Sequence, residues 1–421
     1  MAAADLQPMA IAPRAPGDYA PAAGGRAIEA LQDAAEPLRD ARILHVSPAG
    51  AEGRVPEFLG GLLSLAAGAG VEIEWRVLFG SSELRATSAA LLSGLRGGES
   101  AIEDAAWDEY LDACERAAAA LHDGYDAIVL HDAALGLAAG LDAAAARRAA
   151  PGAGPAFLWR LHEDASRAEP DALARASGLA DGCAAVLVAD ESFAPPALRD
   201  ARLRVAPPGI DPLDPRNLEL ESRLPGRVVR PLGVDLERPF CLQVLELDRW
   251  DDPHAAIDAF RVAKAEEPEL QLVLAALLDR AATESWQAAK EISDYAEGTS
   301  DVLLLTTYEG LGSLEVGALL LLARTVIERS LREGFELAPL EALWKRTPVV
   351  GGIPLTVRDG GDGFLAPGPK QAAARIVDLV RDPGLAIEMG RAGRERVRER
   401  FLVTSALERE MRVLAATVQA A

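Results

Sequence analysis

Two carboxylates, Glu333 and Glu341, stand eight positions apart in the stretch Ser330–Trp344. The preceding Thr325-Val326-Ile327 reads as a buried strand. Pro339 suits a first helical position, where its missing N–H costs nothing. Glu341 then falls in the first helical turn, beside unpaired N–H groups and the positive end of the dipole. A carboxylate there can accept hydrogen bonds from ligand hydroxyls, those of a sugar among them. Glu333 lies in the loop above the strand, where ligands bind in open α/β sheets. A charged strand-loop-helix of no special purpose is the plainer alternative; Arg332-Glu333-Gly334-Phe335 with Glu341-Ala342-Leu343-Trp344-Lys345 speaks against it. A second group, His131-Asp132 and Trp159-Arg160-Leu161-His162-Glu163-Asp164, follows two short apolar runs. His162 is either a ligand partner or a satisfied half-buried histidine, and His131-Asp132 either a ligand site or a strand-end cap.

These groups need a scaffold large enough to hold them. At 421 residues, half of them hydrophobic, the chain suffices for two domains with substantial cores. The formal net charge of −22 argues against nucleic acid or an anionic membrane as a partner. Cys114, Cys183 and Cys241 are odd in number and widely spaced, so neither a disulfide framework nor a zinc site is implied and a reducing cytoplasm fits. The five histidines (45, 122, 131, 162 and 254) lack metal-ligand spacing. No signal peptide is read, and the apolar run Val316–Ala323 is too short to span a bilayer. The expectation is a cytoplasmic protein with no metal and no cofactor; a homodimer is left open.

Residues 1–25, rich in Ala, Pro and Gly, read as a loosely ordered arm. A helix follows from about Arg26 to Arg39, then a strand at Ile43–Ser47. Helical and strand patterns alternate: helix Val55–Ala69, strand Glu72–Leu78, a long helical stretch to about His122, then strands Ala127–His131, Ala156–Leu161 and Ala185–Val188. Alternation of this kind predicts a parallel sheet wrapped by helices. Polar, Pro-containing sequence at Asn217–Glu237 reads as the interdomain connection. A second series follows: strand Phe240–Val244, helix Ala255–Ala265, strand Gln271–Ala275, a helix near Ser285–Ala296, strand Val302–Leu305, helix Leu314–Ala323, then Thr325–Ile327 and Val349-Val350. The chain ends in helices, the last at about Ser405–Val418.

The Glu-x7-Glu segment resembles the donor site of retaining glycosyltransferases of the GT-B fold. Further strings narrow the resemblance to the trehalose glycosyltransferring synthases: Asp18-Tyr19-Ala20-Pro21, Ile43–Ser47, His131-Asp132, Trp159–Asp164, Pro207-Pro208-Gly209-Ile210-Asp211-Pro212-Leu213 and Leu311–Val316. It covers nearly the whole chain. It implies an α/β protein of GT-B class, with two Rossmann-like doubly wound domains facing across a cleft. The domains would run over 1–225, with the arm and the acceptor side, and 238–400, with the donor side. A helix at 401–421 would cross back to the N-terminal domain. The implied reaction is retaining transfer of a hexosyl group from a nucleotide sugar to a small sugar acceptor.

By the same resemblance His162 and Glu333 would be catalytic. His162 would lie beside the reacting sugar, and Glu333 would bind donor hydroxyls with the backbone of Gly334 and Phe335 close by. Asp132, His131 and Asp164, with Arg160, would line the acceptor side. Arg332 and Leu337 would belong to the donor site and Glu341 would hold the ribose. Asp211 could be a ligand group or simply form a turn.

The sequence departs from the family where the donor diphosphate would sit. An Arg and, five residues later, a Lys follow the strand Leu242–Val244 in the family. Glu246 and Asp251 occupy those positions here, while Asp248 and Trp250 keep register. One pair of unit charges near 4 Å is worth about 4 kcal/mol at an effective dielectric of about 20, so two carboxylates would repel a diphosphate strongly. Arg249 and Arg332 offer partial compensation, since Arg chelates phosphate. The Gly-rich loop before the first long helix carries side chains, Ala49 through Glu57, where bare backbone would reach phosphate, although Arg54 could supply a cation. Glu336 replaces a Gly, and the loop after Val350 is shortened to Gly351-Gly352-Ile353-Pro354. Two functions therefore stand side by side: a glycosyltransferase with altered donor binding, and a catalytically silent paralogue serving as a binding or regulatory subunit. A phosphorylase fits less well, because its phosphate would meet the same acidic site.

Overall fold

The computed structural model describes residues 6–48, 54–119, 121, 124–140, 155–245, 247, 252–277, 283–329 and 337–420. Contacts divide the chain into two compact units. One runs to Gly209 and takes in Val403–Ala421; the other is Ile210–Leu402.

The first unit is built on strands β1 (Leu6–Met9), β2 (Arg42–Pro48), β3 (Glu72–Leu78), β4 (Ala127–His131), β5 (Ala156–Arg160), β6 (Ala185–Val188) and β7 (Leu203–Val205), in the sheet order β1-β3-β2-β4-β5-β6-β7. All neighbours are parallel except β1, which runs antiparallel along β3. β4, β5 and β6 are near-continuous apolar runs buried throughout, as strands covered on both faces must be. The second unit holds β8 (Phe240–Leu245), β9 (Gln271–Ala276), β10 (Val302–Thr306), β11 (Thr325–Glu328), β12 (Val349–Gly351) and β13 (Gly363–Phe364), all parallel, in the order β10-β9-β8-β11-β12-β13. Each sheet has its own apolar core.

Several helices start on one local device, a carboxylate cap followed by proline. Glu169, Asp252 and Asp382 each accept the backbone N–H three residues on, and Pro170, Pro253 and Pro383 occupy the first helical position.

Three expectations need correction. The N-terminal arm is ordered from Leu6: β1 pairs with β3, and Tyr19 is wholly buried. The long helical stretch is two helices, Ser82–Leu95 and Asp104–Ala119. The stretch read as a connection packs within the second unit, where its short helix Leu224–Val229 lies against Ser313–Leu322. Gly317 permits a close approach of the backbone at Arg216, just before this stretch, since a Cβ on it would sit 2.2 Å from the Arg216 carbonyl oxygen.

The last helix, Val403–Ala420, packs on Gly25–Ala35, Arg54–Gly68 and β4 of the first unit. Leu407, Met411 and Leu414 are buried on its inner face, and so is Glu410.

Candidate active site

Sheet register brings three histidines of the first unit into one file. His45 on β2 lies opposite Val129 of β4, and His131 is two residues further along β4. His131 lies opposite Arg160 of β5, and His162 is two residues beyond that. Steps of two keep all three on one face of the sheet. His45 Nδ1 is 3.0 Å from His131 Nε2, and His131 Nδ1 is 2.9 Å from His162 Nε2. The rings stack with centroids 5.3 and 5.2 Å apart. Below the file, His45 Nε2 faces Glu410 Oε1 at 3.7 Å. The other oxygen of Glu410 accepts a hydrogen bond from Arg160 Nη1.

This arrangement explains the Trp159-Arg160-x-His162 string. Adjacent residues of β5 point to opposite faces. Trp159 donates from Nε1 to the carbonyl of Asp132 at 3.1 Å. Arg160, on the other face, ties Glu410 and the Ala206 carbonyl, the latter at 2.9 Å. Phe58 lies under the Arg160 guanidinium at 5.0 Å and edge-on to the His162 ring. His162 is half-buried at the C-terminal end of the sheet.

Asp132 begins the turn after β4 with φ of +48°, a left-handed conformation that Asp tolerates better than most residues. Its Oδ1 accepts the His162 backbone N–H at 2.9 Å, which ties the two strand ends together. Burial, and then the charge of Glu163, push its carboxyl up to about 7; the His162 N–H and Arg96 oppose the shift. Glu163 is itself paired with Arg96. Burial followed by the Arg160 charge holds His45 down to about 3, and the same two causes hold His162 well below its ordinary value. Burial, the other two imidazoles and Arg160 do so for His131. The file is neutral at physiological pH.

The expected acceptor residues therefore divide. His162 and Asp132 are brought together at the strand ends. His131 and Arg160 are buried, with 0% and 2% of their surface exposed. Both ring nitrogens of His131 are taken, and Arg160 is bound to Glu410, so these two support the site rather than line it. Asp164 accepts the Ser166 N–H at 2.8 Å and forms a turn. Asp211 does the same for Leu213 at 2.9 Å, in agreement with its plainer reading.

In the second unit the helix runs over Leu337–Trp344, so Pro339 is its third residue rather than its first, and Glu341 lies beyond the first turn. Glu341 does not stand free for a ribose. Only 2% exposed, it accepts from Arg216 Nη1 at 3.2 Å and Asn217 Nδ2 at 3.3 Å. Trp344 Nε1 donates to the Asn217 carbonyl and Lys345 Nζ to the Leu218 carbonyl. The Glu341–Lys345 string is thus a clasp on residues 216–218. Leu337 is buried at the start of this helix. Arg332, Glu333, Gly334, Phe335 and Glu336 lie outside the described residues, as do Glu246, Asp248, Arg249, Trp250, Asp251 and the loop 49–53.

With this geometry in place, comparison with known proteins is decisive. The chain is 37% identical over 393 residues to the trehalose synthase of Rubrobacter xylanophilus, covering 91% of this chain and 92% of that one. The chain belongs to the trehalose synthase family. Residues 45–195 match the family description "Trehalose synthase, N-terminal domain", and residues 228–396 match "Glycosyl transferases group 1". The fold is shared more widely. The α,α-trehalose 6-phosphate synthase of Burkholderia multivorans superposes with a TM-score of 0.70 at 15% identity, over 90% of this chain and 99% of that one. A trehalose-6-phosphate protein of E. coli, bound with UDP-2-fluoro glucose, gives 0.64 at 14% identity, over 90% and 98% of the two chains. This trehalose synthase-like glycosyltransferase has the GT-B fold.

Sequence reasoning missed His45 and Glu410. Each leaves a visible signal in this trehalose synthase-like chain: His45 interrupts the apolar strand Ile43–Val46, and Glu410 interrupts the apolar face of the last helix between Leu407 and Leu414.

Proposed function

We propose that this chain is a retaining hexosyltransferase that moves a sugar from a nucleotide sugar to a small sugar acceptor, with weakened grip on the donor diphosphate. In the transfer, an acceptor hydroxyl forms a bond to the donor C1 as the C1–O bond to the diphosphate breaks. The hydroxyl proton leaves with the nucleotide diphosphate, and the anomeric configuration is kept. The observation that carries the reading is the pairing of Asp132 and His162 at the ends of β4 and β5, in a chain of this family. In this reading His162 meets the acceptor or donor sugar as a hydrogen-bond partner, Asp132 shapes the turn that holds it, and Glu333 orients donor hydroxyls. The E. coli fold relative's bound UDP-2-fluoro glucose supports a nucleotide-sugar donor.

The charge at positions 246 and 251 supports weakened donor binding, and it is also what favours the second reading, a silent binding subunit. Product detection from glucose with a panel of nucleotide-glucose donors separates the two. The transferase reading expects slow turnover that rises with donor concentration and is lost in Glu333→Gln. No product at any donor concentration favours the silent subunit, and turnover that persists in Glu333→Gln overturns the role of Glu333.

A further inference from the structure

The file of histidines ends in a group from the far end of the chain, and hydrogen-bond directionality makes that group consequential. A neutral imidazole carries one N–H and one lone pair. Each of the two N···N contacts therefore holds one proton, and fixing one ring fixes the next. Two polarities are open. In one, His162 Nε2–H donates to His131 Nδ1, His131 Nε2–H donates to His45 Nδ1, and His45 Nε2–H points at Glu410. In the other, every proton lies on the opposite nitrogen, and His45 presents a bare Nε2 to Glu410.

Glu410 decides between them. Arg160 is a permanent cation with 2% of its surface exposed, and an unpaired buried cation is strongly unfavourable. Its carboxylate partner is Glu410, so Glu410 is ionised even though burial pushes its carboxyl upward. An ionised carboxylate accepts and does not donate. A bare His45 Nε2 would set a lone pair against that anion at 3.7 Å, whereas an N–H there is attracted to it.

We propose that Glu410 acts as a positioning residue that sets the tautomer of His162 through His45 and His131, leaving His162 Nδ1 as a lone pair offered to a ligand hydroxyl. Among the described residues, none bonds to that Nδ1. The sugar identity of the hydroxyl rests on the transferase reading, but the tautomer does not. The last helix thereby contributes to the site from the buried end of the file, where its carboxylate lies.

Long-range ¹H–¹⁵N correlation spectra of the full-length protein at neutral pH test this directly, since they distinguish a protonated Nε2 from a protonated Nδ1. The five histidines keep the spectrum assignable, with His162→Gln identifying the His162 signals. The expected result is that His45, His131 and His162 are all protonated on Nε2 alone. A His162 protonated on Nδ1, or averaging between both forms, overturns the proposal. In Arg160→Met/Glu410→Gln, which removes both charges while keeping side-chain bulk, His162 should become a mixture of tautomers. If that variant does not fold, His45→Leu, which cuts the link between Glu410 and His131, carries the same expectation. Retention of the pure Nε2–H form in the folded variant would show that Glu410 does not set it. Because the readout needs no turnover, its failure is distinct from failure of the transferase reading.

Discussion

Arg160 and Glu410 lie 250 residues apart in sequence and form an ion pair in the interior of the first unit. Both side chains are nearly inaccessible to water, at 2% and 1% exposure. A buried pair of this kind is sensitive to loss of one partner and far less so to loss of both. We predict that Glu410→Ala destabilises the protein by about 3–5 kcal/mol, and that Arg160→Met with Glu410→Leu recovers most of that loss. Urea unfolding of the full double-mutant cycle measures the coupling. A single Glu410→Ala change that costs less than about 1 kcal/mol, no more than an exposed pair, would mean that the charge is relieved in some other way.

Asp132 should make stability fall as pH rises toward neutrality. In the folded protein its carboxyl holds a proton up to about pH 7, against an ordinary value of 3.8. Between those two values the folded state binds more protons than the unfolded chain, so stability declines across that window and levels off above it. Asp132→Asn removes this titration. The variant should gain on the wild type as pH is raised from 4 to 7, by an amount on the order of a few kcal/mol. Parallel chemical denaturation of both proteins at several pH values reads the difference. A constant gap across the window would show that Asp132 titrates in the ordinary carboxylate range.

Glu341 should prove as much a structural residue as a ligand residue. Its removal leaves Arg216 buried without this carboxylate and takes from Asn217 Nδ2 one of its two acceptors, the other being the Asp211 carbonyl. Glu341→Ala is expected to lower stability by about 3 kcal/mol or more and to loosen the clasp on residues 216–218. Thermal melting alongside limited proteolysis checks both effects. Unchanged melting and unchanged cleavage would restore the simpler view of Glu341 as a free ligand group.

How much of this was legible in the sequence follows the physics of each feature. Strands such as Ala127–His131 and Ala185–Val188 were readable to the residue, because a strand covered on both faces must be an unbroken apolar run. β1 was not readable. It has four residues, includes Pro8, and exists because β3 offers it a free edge. β13, with two residues, carries no periodicity at all. His162 and Asp132 were legible as residues at strand ends because they follow apolar strands, and the fold brings them together. The roles of His131 and Arg160 were not, since burial depends on a helix near the chain's other end. Glu410 illustrates the limit: a carboxylate on an apolar helix face signals a buried partner, but only the fold names Arg160 and His45.

We propose that in this member of the family Glu246 and Asp251, which stand at the sequence positions of the family's Arg and Lys, weaken binding of the donor diphosphate. Isothermal titration calorimetry with ADP-glucose and UDP-glucose tests it most directly, on the unmodified protein and on Glu246→Arg/Asp251→Lys. The account predicts that the unmodified protein binds both donors more weakly than micromolar, which corresponds to about −8 kcal/mol, and that the charge reversal tightens binding at least tenfold. Micromolar binding by the unmodified protein, or no gain from the reversal, would contradict it.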